Sequence, residues 1–368
     1  HYALPILWVI KYTKMLRALH SLRFVFVMLI VLSHLIGHGF DFGGECGVAF
    51  FFILSGFVLS LAYGDSIREK RFSTRALVGK QLLKFYPLHL ITMAVVLLMD
   101  ARLGLHSEWG RILPSIFLIQ SWVPSEQVHF FANGPAWFLA DIVFLYLIFR
   151  CLFVVLNKLT ARQAIIASAV VVIVYLLLGG MISEERVNYL LYVFPPTRVI
   201  DFAIGILLYR AYRSQCTMSL RKWLSECSPA KATALESVIV ALIVLTAFVY
   251  PHIQPHIRCA SIFWVVVPVT VFFFATIDKS GGLVTRLLTS KAMMSLGSIS
   301  FEIYMIHAVV KRIVQSIAMN VGIESDLCMA VVIILTTIAL AYPVKIFFVD
   351  KIYRKASNFR YIDKNAEK

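Results

Sequence analysis

The sequence is poor in charge, and negative charge is scarcest. Of its 368 residues 15% are charged, with 20 Asp and Glu against 35 Lys and Arg. Soluble chains average about 25% charged residues, so a wholly water-covered globular surface is excluded. The six cysteines, Cys46, Cys151, Cys216, Cys227, Cys259 and Cys328, form no Cys-x-x-Cys pair. They read as small apolar side chains rather than redox or metal ligands, and no metal site is expected. RNA-recognition signatures, zinc-finger spacing and basic faces with interleaved aromatics are also missing. The formal charge of +15 therefore does not point to nucleic acid. The apolar stretch from His1 to Ile10 lacks a preceding basic region and a small-residue cleavage site, so it does not read as a cleavable signal. The chain opens on His1 rather than Met, which leaves room for residues ahead of it. Internal repeats are absent too, which disfavours transporter folds built on inverted repeats.

What the sequence has in abundance is apolar surface: 60% of residues, with a mean hydropathy of +0.82. No core could absorb it all, so lipid must cover much of it. Ten segments are long enough to cross a bilayer as helices: 24–38, 46–63, 81–99, 136–156, 163–182, 194–212, 235–251, 258–277, 297–319 and 327–348. The first is short, but Leu16 to Leu22 can extend it. The expected fold class is all-α: a polytopic membrane helix bundle, with a transmembrane domain over 1–350 and a basic tail over 351–368. Ile112 to Val123 is apolar but too short to span, and is expected as a re-entrant or interfacial segment. Charge supports that choice. With 112–123 omitted as a crossing, 28 of the 35 Lys and Arg fall before residue 24 or in 64–84, 150–162, 209–234, 278–295 and 345–368. The opposite loops hold Arg102, Arg111, Arg186 and Arg258. By the positive-inside rule both termini should be cytoplasmic, making 100–135 the largest outward loop.

Ionisable residues inside spans are functional candidates by default. Arg23 and His34 lie on the first span. Eleven steps of 100° bring them within about 20° of one helix face, and roughly 16 Å apart along the axis. A neutral histidine can serve as a general base near neutral pH; it can equally be a hydrogen-bonded strut between helices. Spacing alone leaves both readings open.

From here the chain resembles acyltransferase family 3, the multi-span bacterial enzymes that O-acylate surface carbohydrates and similar acceptors. Arg23 and His34 match its Arg, ten residues, His hallmark. Gly47-Val-Ala-Phe-Phe-Phe-Ile-Leu-Ser55-Gly56-Phe57 is similar to its second-helix segment. Lys84-Phe85-Tyr86-Pro87 resembles its Arg-x-Tyr-Pro, Trp137-Phe-Leu-Ala-Asp141 its Trp-Ser-x-x-x-Glu, and Ser300-Phe-Glu-Ile-Tyr304-Met-Ile-His307 its Ser-x-x-x-Tyr-x-x-His. The matches run in family order from about 17 to 310.

The resemblance implies a cytoplasmic acyl-coenzyme A donor, commonly acetyl-coenzyme A, and a glycan or lipid-linked acceptor on the other side of a bacterial inner membrane. It implies Arg23 and His34 as the catalytic pair. The donor's phosphates would be held by Arg23, Lys84, Tyr86, Arg75 and Lys80. Trp137, Asp141, Tyr304, His307 and Arg198 are the acceptor-side candidates. Gln81 and Lys84 stand where the family often has two arginines, and lysine binds phosphate without bidentate geometry; Arg71, Arg75 and Lys80 lie near enough to compensate. His20 replaces an acidic residue, and Asp141 is one methylene shorter than the family's Glu.

Other polar residues have plainer readings. Arg198 and Asp201, at i,i+3, face the same way and suit a structural ion pair better than an acceptor site. Tyr304 and His307 also share a face, as acceptor lining or as interhelical hydrogen bonds. Lys311 and Arg312 are expected to snorkel, and Glu302 to be solvated. His38 is a weaker substitute for His34. Ser55 and Gly56 suit helix packing better than nucleophilic chemistry, and Phe50-Phe51-Phe52 packing or lipid contact. Two function classes stand against each other: acyl transfer, and transport of a small anion or lipid precursor. The Arg–His spacing favours the enzyme. A scaffold role is a distant third.

Overall fold

The computed structural model describes residues 16–35, 43–105, 108–277, 281–321 and 325–353. His38, the first fifteen residues and most of the tail lie outside the described residues. No strand occurs among the described residues. The principal helices are α1 (Arg17–Leu35), α2 (Gly44–Arg68), α3 (Thr74–Arg102), α4 (Trp109–Ile116), α5 (Trp137–Lys158) and α6 (Ala161–Met181). There follow α7 (Pro195–Arg213), α8 (Pro229–Val249), α9 (Phe263–Thr276), α10 (Lys291–Ser298), α11 (Ser300–Val321) and α12 (Asp326–Pro343).

Eight helices are long and apolar enough to cross a membrane, or ten if each of two bent pairs is one span. The pairs are Glu184–Val193 with α7, bent by 47°, and α10 with the following helix, bent by 61°. The first bend has a visible cause. Phe194 precedes Pro195 and Pro196, and a residue before proline is driven out of the helical region; its φ of −69° and ψ of 121° are extended. Hydroxyl caps start several other helices where the sequence changes from polar to apolar. Ser73 accepts from the Ala76 amide, Thr160 and Gln163 form a reciprocal capping box, and Ser228 and Ser325 cap α8 and α12.

The chain divides into two compact units. The first comprises the chain up to Ser33, Gly39–Phe72 and Ile148–Ser298. At its heart α2 packs along α7. A Cβ on Gly56 would meet the Phe202 carbonyl at 2.2 Å, and one on Gly205 the Ile53 carbonyl at 2.0 Å. Two glycines thus let the backbones approach, as small residues do where lipid supplies no hydrophobic drive. Helix α2 runs unbroken through Ser55, so that segment serves packing. Phe26 and Phe50 stack at 3.9 Å, and Phe52 is likewise buried. The buried Glu236 of α8 accepts from the amides of Gly282, Val284 and Thr285 at 2.8, 2.8 and 3.2 Å, neutralising the positive end of the short Leu283–Leu288 helix.

The second unit comprises His34–His38, Ser73–Leu147 and the chain from Ile299 on. Here α11 packs on α12 and α3. The stretch expected as re-entrant or interfacial forms α4, a left-handed Leu118 with φ of 54°, and a single turn at Gln120–Trp122. Tyr86 Oη donates to Ile116 O at 2.9 Å, and His89 Nε2 to Ser115 O at 2.9 Å. Those α3 residues lie 13 to 16 positions before Arg102, about 20–24 Å from that end of the helix at 1.5 Å per residue. The stretch therefore packs along α3 rather than at its end.

Candidate active site

His34 sits in the last turn of α1, where backbone carbonyls have no intrahelical partner. Lys311 Nζ donates to the His34 carbonyl, and a cation at a helix C-terminus is stabilising. Lys311 thus reaches the end of α1. Arg312, the other expected snorkeller, pairs with Asp100 at 2.6 Å. The His34 side chain is exposed.

Facing it is His307 of α11, fully buried. The two imidazole centres are 5.2 Å apart at 44°. His307 Nδ1 lies 2.7 Å from Tyr304 O and 3.3 Å from Ile303 O. A carbonyl can only accept, so Nδ1 carries the hydrogen and, in the neutral ring, Nε2 carries the lone pair. Nε2 is buried and has no hydrogen-bond partner among the described residues. Tyr304 Oη donates to Pro135 O at 2.7 Å, and the Tyr304 ring packs edge-on to Phe138 at 5.6 Å. The buried Asp141, one turn beyond the buried Trp137, lies within electrostatic reach of Tyr304. The structure therefore brings His34, His307, Tyr304 and Asp141 into one neighbourhood, with Trp137 on the same helix as Asp141.

Asn133 holds this neighbourhood together. Its amide nitrogen donates to Thr92 Oγ1 of α3 at 3.0 Å and to Met305 O of α11 at 2.9 Å. Gln120 Nε2 donates to Ala136 O at 3.0 Å. Sequence reasoning passed over both residues. The signal was present: an amide in Asn133-Gly-Pro, beside an apolar span, is a turn residue with hydrogen bonds to place.

The cationic candidates are arranged along helices. Lys80 and Lys84 are i,i+4 on α3 and share a face. Arg75 lies about 140° from Lys80 and 180° from Lys84 around the helix. It is therefore turned away from that pair. Lys84 precedes Thr92, the residue Asn133 clasps, by eight positions, about 12 Å along the axis. Tyr86 donates its hydroxyl to Ile116 O, which ties the stretch after α4 to α3. Arg23 is half-buried on α1, and one unbroken helix carries it and His34. Arg198 is fully buried, 3.0 Å from Asp201 Oδ2, and donates to Leu191 O. Asp201 also accepts from Trp264 Nε1 at 2.5 Å. This pairing suits the structural reading of Arg198. Glu302 is buried rather than solvated; it stands in the first turn of α11, where free amides favour a carboxylate.

Among the described residues, a bundle built of helices, eight to ten of them long and apolar enough to cross a membrane, defines a multi-pass membrane protein. Residues 16–346 match the family described as an acyltransferase domain. The chain belongs to acyltransferase family 3, and the protein is a membrane acyltransferase. It is 28% identical over 286 residues to Acyltransferase MdmB of Streptomyces mycarofaciens, covering 73% of this chain and 68% of that protein. No solved structure matches the chain.

Proposed function

We propose that the protein moves an acyl group, by preference acetyl, from cytoplasmic acyl-coenzyme A to a hydroxyl of a cell-surface carbohydrate or related acceptor, in a bacterial inner membrane. His34 is the general base. The observation that carries this reading is the placement of an exposed imidazole beside a buried one whose protonation pattern is fixed, eleven residues along a helix from Arg23.

The chemistry is direct transfer. A lone pair of His34 takes the acceptor's hydroxyl proton as the oxygen attacks the thioester carbonyl. The tetrahedral intermediate collapses, the C–S bond breaks, and the departing thiolate recovers the proton from the His34 imidazolium. General base catalysis supplies about 10² to 10⁴-fold. Arg23, Lys80 and Lys84 hold the donor's phosphates. The pantetheine arm must then bridge the roughly 16 Å that separate Arg23 and His34 along α1. Trp137, Asp141 and Tyr304 shape the acceptor side.

The test is turnover of labelled acetyl-coenzyme A by the detergent-purified protein with an acceptor glycan. His34→Ala should lower kcat by about 10² to 10⁴-fold while the protein stays monodisperse. Full activity in His34→Ala, or vesicle uptake of a small anion without thioester consumption, would sink the reading; the second outcome would favour a transporter.

A further inference from the structure

His307 offers more than a polar lining. Its ring is fully buried, its Nδ1 hydrogen is committed to the Tyr304 carbonyl, and its Nε2 has no hydrogen-bond partner among the described residues. A buried acceptor left without a donor has given up water and gained no partner in exchange, so such an atom calls for an explanation. The ring facing it is His34. A hydrogen bond between two imidazoles, ~3 Å from nitrogen to nitrogen, puts the ring centres roughly 5 Å apart. The observed separation is 5.2 Å, and the 44° tilt is not that of a stack. His34 is the exposed partner, whereas His307 is buried and clamped through its Nδ1.

We propose that His307 is a positioning residue for the transfer reaction: its Nε2 accepts the ring N–H of His34 and so fixes which nitrogen of His34 presents a lone pair to the acceptor hydroxyl. The inference rests on His34 as the base. His34 is then a donor to His307 on one nitrogen and a base on the other. When it takes the hydroxyl proton, the resulting imidazolium still donates to Nε2, and a hydrogen bond from a charged donor is about twice as strong as one from a neutral donor. His307 thus stabilises the protonated form of His34. No proton leaves His307, whose own N–H stays on the Tyr304 carbonyl. The other ionisable groups near the pair are Lys311, one turn on along α11, and Tyr304 and Asp141. Arg312, paired with Asp100, lies beyond Lys311. Among these, His307 alone combines a fixed tautomer with an orphaned lone pair.

The experiment compares His307→Leu, His307→Gln and His307→Asn with the wild type and with His34→Ala. The assay is acetyl-coenzyme A turnover across pH in detergent. The Gln side chain puts an acceptor oxygen near the position of Nε2, and the Asn side chain stops short of it. His307→Leu and His307→Asn should lose about tenfold or more in kcat, part of what a general base supplies, with the donor KM unchanged. The acidic limb of kcat/KM should move to lower pH, because the His34 imidazolium has lost its acceptor. His307→Gln should recover most of both. A purely structural role would lower the yield of active protein and leave the limb where it was. A second readout needs no active variant: in 15N-histidine-labelled wild type, the ring assigned to His307 should be protonated at Nδ1 and bare at Nε2. An unmoved acidic limb in His307→Leu, or a hydrogen on Nε2 of His307, overturns the inference while leaving His34 as the base. Full activity in His34→Ala overturns both.

Discussion

A histidine in the final turn of a helix meets two demands, its own side-chain chemistry and the unsatisfied carbonyls around it. At His34 the second is met by Lys311. That contact joins residues 277 apart in sequence, which is why the partner of Lys311 was not legible from hydropathy. Arg198 illustrates the opposite case. Its i,i+3 spacing to Asp201 was legible, and the structure shows the two side chains paired and buried. Removing one member of a buried pair leaves an uncompensated charge, at a cost of about 3–5 kcal/mol, whereas replacing both with apolar groups is often close to neutral. Arg198→Leu should therefore lower the thermal stability of the detergent-solubilised protein sharply, and Arg198→Leu with Asp201→Leu should restore much of it. Acyl transfer by the surviving double variant should be near normal. If that variant is stable but inactive, Arg198 handles substrate after all.

At the scale of elements, the long helices followed from runs of apolar residues, and the described helix ends fall within a few residues of the expected ones, apart from earlier starts such as that of α3. The bends did not follow. Phe194-Pro195-Pro196 is readable as an interruption, and Gly297-Ser298 stands directly before Ile299, where α10 turns by 61° into the next helix, but such a pair marks a kink without fixing its angle. That the stretch from Ile112 to Val123 makes no spanning helix was legible by its length. Its depth along α3 was not, because that depth is set by the hydroxyl of Tyr86 and the ring of His89 meeting two backbone carbonyls. The following loop carries a pH dependence. Burial holds the His129 imidazole below its ordinary value, with the Val123 carbonyl and Glu126 partly opposing. Above about pH 6.5 the ring is neutral folded or unfolded. As the pH falls further, the unfolded chain takes up its proton first, so the loop loses stability between that pH and the lower folded value. Amide hydrogen exchange over 120–133, corrected for intrinsic rates, should speed up from pH 7 to pH 5 in the wild type and change less in His129→Gln.

For the whole molecule, the hydropathy pattern foretold how unevenly the helices are buried only in part. The span window of α2 is 72% buried, against 11% for that of α6. The exposed faces of α6 and α8 carry Ile165, Ile173, Leu177, Leu245 and Phe248, side chains that lipid covers without penalty. Both helices read as somewhat more apolar than α2 in sequence, and packing widens that small difference into a large one in burial. The positive-inside rule sets an orientation that can be checked directly. An alkaline phosphatase fused after residue 126 should be active outside the cell membrane, and one fused after residue 217 inactive. The reverse pattern would invert the proposed donor and acceptor sides.

The loop that carries Asn133 is also under load. Leu118 and Ala132 hold φ values of 54° and 56°, in a region that side-chain-bearing residues avoid at a cost of about 1–3 kcal/mol each. Those two kinks bracket the segment clasped by Gln120 and Asn133. The clasp is a latch closed against a spring: its amides do not merely locate a slack loop but restrain one whose backbone pushes toward release. Cutting the Asn133 amide would therefore free stored strain as well as remove two hydrogen bonds, and the wall beside Tyr304 would open further than a count of lost contacts suggests.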